Sequence, residues 1–103
     1  MSSTKGYLEF ILEQFSEIDG ITYRPMMGEY ILYYRGKIFG GIYDDRLLVK
    51  PTVSALKMIK HPRFELPYET GREMLFIEDV DNREFLAELV KAMYEELPRK
   101  RKK

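Results

Sequence analysis

The residue types that could do chemistry are few. The 103-residue sequence has no cysteine and one histidine. That removes disulfides, thiol nucleophiles, thiolate metal sites and multi-histidine metal sites together. His61 stands beside Pro62, and no nucleophile elbow or comparable local signature joins it to Ser16 or Ser54. A lone loop histidine of this kind reads as a surface residue. Asp44 and Asp45 are adjacent, and Glu78, Asp79 and Asp81 cluster further on. Neither group has the spacing of a calcium loop. In a turn, paired aspartates cap backbone N–H groups, and before a helix they complement its dipole. Gly40-Gly41 lacks the following Gly-Lys-Ser/Thr of a phosphate loop and the third glycine of a dinucleotide fingerprint. Inside a strand pattern, such glycines admit close approach by a neighbouring element. Lys50, just before Pro51 and a short helical pattern, reads as a solvent-facing lysine at a strand end or as one that helps hold an anion. No metal ion or cofactor is expected.

Charge gives the second handle. Basic and acidic residues balance at 17 each, but unevenly along the chain. Residues 1–20 carry −3, 21–72 carry +4 and 73–97 carry −6, so 1–97 carries −5. The tail 98–103, PRKRKK, adds five positive charges: Arg99, Lys100, Arg101, Lys102 and Lys103. A basic run of this kind either meets phosphate or solubilises the chain. A body at −5 is a poor general binder of nucleic acid.

The elements that must position these residues follow from hydrophobic spacing. Tyr7, Leu8, Ile11, Leu12, Phe15 and Ile18 fall on one stripe and predict a helix over 4–18, capped by Ser3 or Thr4 and ended by Asp19-Gly20. Tyrosine, isoleucine and leucine dominate 22–50, punctuated by Gly and Asp. Strands are expected near 22–27, 29–35, 37–43 and 46–50, with tight turns at Arg35-Gly36 and Asp44-Asp45. Pro25 puts the first strand at an edge, and Gly28 marks a bend. Tyr30, Leu32 and Tyr34 share one face, and Ile31 and Tyr33 the other. Thr52 caps a short helix over 53–60, residues 62–72 read as an exposed loop, and 73–79 as a fifth strand. Asp81 and Glu84 fit a capping box for a last helix over 82–97, ended by Pro98. Strands and helices are segregated. The expected fold is therefore α+β: an antiparallel meander of about five strands with N- and C-terminal helices and one short helix packed on it. Residues 1–97 form one domain and 98–103 a basic tail.

Residues 24–50, RPMMGEYILYYRGKIFGGIYDDRLLVK, resemble the N-terminal domain of the TfoX/Sxy family of bacterial competence regulators. The matching features are Arg24, Met26 and Gly28 in an R-x-M-x-G start, then Tyr30, a tyrosine at 33 or 34, and Gly36. Phe39, Asp45 and Lys50 complete the set. Met27 stands where the family usually has phenylalanine. The similarity extends over residues 4–97, and regulators of this family carry a second, helical domain beyond the part matched. The resemblance implies an α+β interaction domain in transcriptional regulation, working through protein contacts and not through an enzymatic reaction. It brings no catalytic residues. Arg24, Met26, Gly28, Tyr30 and Lys50 are the residues it singles out for interaction, with a transcription factor or a second copy of the chain as partner. The pattern is also similar to the YjbR-like group, which makes direct nucleic-acid binding, assisted by Arg99–Lys103, the alternative. The sequence has no run of 18 apolar residues and no secretory signal, so a cytoplasmic protein is expected.

Overall fold

Three two-residue hairpins organise the chain. In the computed structural model, which describes residues 2–98, the turns Met27-Gly28, Arg35-Gly36 and Asp44-Asp45 all have positive φ at both residues. That is the type I′ geometry whose twist matches the flanking strands. The turns connect β1 (Ile21–Met26), β2 (Glu29–Tyr34), β3 (Lys37–Ile42) and β4 (Leu47–Val49) as antiparallel neighbours. Met27, expected at the end of a strand, is instead the first turn residue and is almost wholly exposed.

The meander is flanked by α1 (Lys5–Gln14) and followed by α2 (Val53–Met58), β5 (Phe64–Glu65), β6 (Met74–Phe76) and α3 (Arg83–Met93), which runs on as a 3-10 turn over Tyr94–Glu96. The sheet has six strands in the order β1-β2-β3-β4-β6-β5. The expected α+β architecture of an antiparallel sheet with helices is therefore found. The extra strand, β5, lies inside the segment expected to be an exposed loop. It pairs Phe64 with Leu75 and Glu65 with Met74, and Pro67 just after it is buried. Two residues between Pro62 and Pro67 are too short for a periodic signal.

All three helices cover one face. Leu8 and Ile11 from α1, Phe15 just after it, Ala55 from α2, and Leu86, Leu89, Val90 and Met93 from α3 close over Leu32, Tyr34, Phe39, Leu47, Val49 and Leu75 of the sheet. The α1 helix stops at Gln14, short of the expected residue 18, because Phe15 N–H is shared between the Ile11 and Leu12 carbonyls and tightens the last turn. Its N-cap is Thr4, whose hydroxyl accepts from Tyr7 N–H. The cap of α3 is Asn82, not Asp81: the Asn82 side chain accepts from Phe85 N–H at 3.1 Å. Residues 78–82 turn back on themselves through Val80 N–H to the Glu78 carbonyl and carry the helix start one residue further along.

Between β2 and β3 the register slips, leaving Phe39 unpaired as a bulge. Its ring turns into the core and meets Phe15 edge-on at 5.6 Å. Pro25 sits on edge strand β1 opposite Tyr30. Gly20 carbonyl accepts from Arg35 N–H, and alternation then turns the backbone groups of Ile21, Tyr23 and Pro25 away from β2. The missing N–H of Pro25 thus costs the ladder nothing. Among the described residues no helix is long and apolar enough to cross a membrane.

Candidate interaction surface

The sheet face away from the helices is built from alternate residues: Arg24 and Met26 of β1, Ile31 and Tyr33 of β2, and Leu48 of β4. Its two halves differ. Over β3, β4 and β6 the segment 66–73 folds back as a strap. Arg46 pins the start of the strap by donating to the Leu66 carbonyl at 3.0 Å, while also donating to Glu65 at 2.7 Å and the Tyr43 carbonyl at 3.0 Å. Tyr68 of the strap meets Tyr43 at 6.1 Å between ring centres. Leu48, which points away from the helices, is fully buried. Burial, with Tyr68 and Glu29 nearby, raises the Tyr43 phenol above its ordinary range. Among the described residues, no segment returns over the outer face of β1 and β2. Arg24 and Thr22 are exposed, and Met26, Ile31 and Tyr33 are half-buried.

The glycine pair makes this arrangement possible. A Cβ on Gly41 would lie 2.6 Å from the Tyr43 ring, and one on Gly40 would strike the Leu48 carbonyl oxygen and come within 2.8 Å of Val49 Cα. Gly40 lets β4 close on β3, and Gly41 seats the Tyr43 ring. Close approach, expected from their place in a strand, is what both glycines provide.

The residues singled out from the sequence do not form one patch. Arg24 and Met26 share the open half of the outer face. Tyr30 lies on the helix side, packed against the core and 5.8 Å from the Tyr23 ring. Gly28 holds the β1–β2 turn at φ 87°, and its carbonyl accepts from Ser3 N–H at 2.9 Å. Lys50 follows β4, three strands from β1, or about 14 Å across the sheet. It lines the strapped half. The anion that holds the N-terminus of α2 is the protein's own: Glu96 accepts from Ser54 N–H at 3.1 Å and from the Ser54 hydroxyl. Those bonds lower the Glu96 carboxyl below its ordinary range. The proposed phosphate-binding residues Arg99, Lys100, Arg101, Lys102 and Lys103 lie outside the described residues.

Sequence reasoning missed Glu29. Its Oε1 accepts from the Ser3 hydroxyl at 2.7 Å and from Asp44 N–H at 3.0 Å. Ser3 Oγ in turn accepts from Asp45 N–H, and Asp45 Oδ1 accepts from Thr4 N–H at 2.9 Å. Ser3 and Thr4 so tie the first and third hairpin turns together. The nearest signal was the capping role read for Asp44 and Asp45; Asp45 does accept from a backbone N–H, but that of Thr4, 41 positions away. Some basic residues of the middle segment are also engaged within the fold. Arg46 and Arg63 pair with Glu65 and Glu78, and Lys37 donates to the Tyr94 carbonyl with its ammonium 4.1 Å from that ring's centre. Among the described residues no three His, Asp or Glu side chains gather as a metal site.

The model of the TfoX N-terminal domain family matches residues 13–96, most of the chain. This chain belongs to that family. The matched span includes all three hairpins and their turn residues. The chain is also similar, at 29% identity over 80 residues, to an uncharacterized 12.7 kDa protein in the trpE 5′ region of Spirochaeta aurantia. That similarity covers 78% of this chain and 70% of the relative. No solved structure matches the chain.

Proposed function

We propose that this TfoX N-terminal domain is a non-enzymatic interaction module that acts in transcriptional regulation through protein contacts. The observation that carries the reading is the open half of the outer sheet face. Met26, Ile31 and Tyr33 form a half-buried apolar strip there, with Arg24 exposed beside it. Aromatic and arginine side chains on a rigid sheet are the usual anchors of protein interfaces. Charge supports a protein over DNA as partner, because residues 1–97 carry −5 and Arg46 and Arg63 are already paired with carboxylates.

The test is titration of the purified chain against a global transcription activator, with and without duplex DNA, alongside sedimentation equilibrium for self-association. Saturable binding to the activator or to itself is expected. It should weaken about tenfold in the Arg24→Glu, Tyr33→Ser double variant, with circular dichroism showing that the variant is still folded. Binding of 1–97 to DNA alone, or protein binding indifferent to both substitutions, would refute the reading.

A further inference from the structure

A groove of about 570 Å³ runs between the strap and the outer face of β3, β4 and β6. Ligand pockets for small molecules fall in this range, from about 300 to 1,000 Å³. Gly40, Tyr43, Lys50, Tyr68 and Arg72 are among the residues that line it. We propose that this groove binds a small organic anion carrying an aromatic ring, with Lys50 and Arg72 on its charge and Tyr68 against its ring. The proposal is independent of the protein contacts assigned to the other half of the face.

Three observations converge. First, the charge is unbalanced. Lys50 and Arg72 line the groove with one carboxylate, Glu73, and neither cation takes part in the ion pairs formed among the described residues. Two cations in one concave site favour a negative group through charge-assisted hydrogen bonds. Second, Tyr68 is 52% exposed although its ring is held from two sides. Tyr43 lies against it, and Gly71 passes so close that a Cβ there would come within 3.1 Å of the ring and 2.8 Å of Pro67. A ring fixed in place yet left in water offers a ready stacking surface at little entropic cost. Third, the strap is built tightly. Arg46 fixes its start, and Gly71 N–H donates to the Tyr68 carbonyl at 2.9 Å, which preorganises the wall.

Adenosine monophosphate is a suitable probe, with adenosine and inorganic phosphate as its two halves. NMR titration of the full chain is expected to move the amide signals of Gly40, Thr70 and Gly71. The double variant Lys50→Gln, Arg72→Gln should bind the monophosphate at least about tenfold more weakly and adenosine unchanged. Both substitutions are at solvent-accessible side chains, so the fold should persist, as the undisturbed spectrum of Leu32 and Phe39 would attest. Failure of the monophosphate to move these signals up to about 10 mM would overturn the proposal. So would shifts confined to Arg99–Lys103, or equal affinity in the double variant.

Discussion

Replacing Gly40 with alanine tests the packing of the sheet at its tightest point. Gly40 follows the Phe39 bulge, and a Cβ there would point into β4. It would overlap the Leu48 carbonyl oxygen, sit 2.8 Å from Val49 Cα and 3.1 Å from the Leu48 carbonyl carbon. All three are backbone atoms, so no side-chain rotation relieves them, and β4 must move. Overpacking of this kind costs about 1–3 kcal/mol. The flanking bond from Lys50 N–H to the Phe39 carbonyl, 2.9 Å long, is strained by the same movement, adding about 1 kcal/mol. The expected loss is therefore about 2–4 kcal/mol, a large part of a stability near 5–15 kcal/mol. It should lower the melting temperature by about 8–30 °C. Gly6→Ala is the control, because a Cβ at Gly6 meets nothing within 4 Å and alanine favours the helix. That variant should gain about 0.4–1 kcal/mol. Urea denaturation followed by circular dichroism reads both. If Gly40→Ala unfolds within about 1 kcal/mol of the parent, β3 and β4 are not packed as described.

Further outcomes are expected elsewhere. Asp45→Ala removes the acceptor for Thr4 N–H and puts alanine at φ 55°, and should destabilise the protein by about 1–2 kcal/mol in the same urea assay. Asp45→Gly should cost less, since it relieves the backbone strain. The lowered carboxyl of Glu96 contributes stability above the ordinary glutamate range, lost as pH falls through its folded value. The gap in urea midpoint between the parent and Glu96→Gln should accordingly close in acid. Arg46→Ala should free the strap, raising amide exchange at Tyr68 and Gly71 while leaving Leu32 protected. Should the basic tail grip duplex DNA, affinity will fall with salt at a log–log slope of about −4.5, and the chain ending at residue 97 will not bind.

Much of the meander was legible because its turns announce themselves. Arg35-Gly36 and Asp44-Asp45 are short polar pairs between apolar runs, and Pro25 fixed the edge before any pairing was known. What escaped depends on tertiary context. Asn82 competes with Asp81 for one cap, and only the turn at 78–82 decides between them. Glu29 reads as an ordinary strand residue until Ser3, 26 positions away, is brought to it. The residues that the family resemblance singles out follow one another along the chain, but strand order separates what spacing joins. Lys50 and Arg24 share a segment and not a surface. The α2 N-terminus looked free for an outside anion, yet Glu96 reaches it from 42 positions along the chain.

The outward-facing Pro25 has a consequence for the protein in a crowded solution. An edge strand recruits its like by offering a row of free amides, and β1 offers only those of Ile21 and Tyr23 before proline interrupts the row. A second chain approaching side-on finds too few donors to extend the sheet. At the far edge, β5 is two residues long and gives no better purchase. The sheet thus carries its own stops at both ends. Copies that meet are thereby steered away from open-ended, edge-to-edge stacking of their sheets.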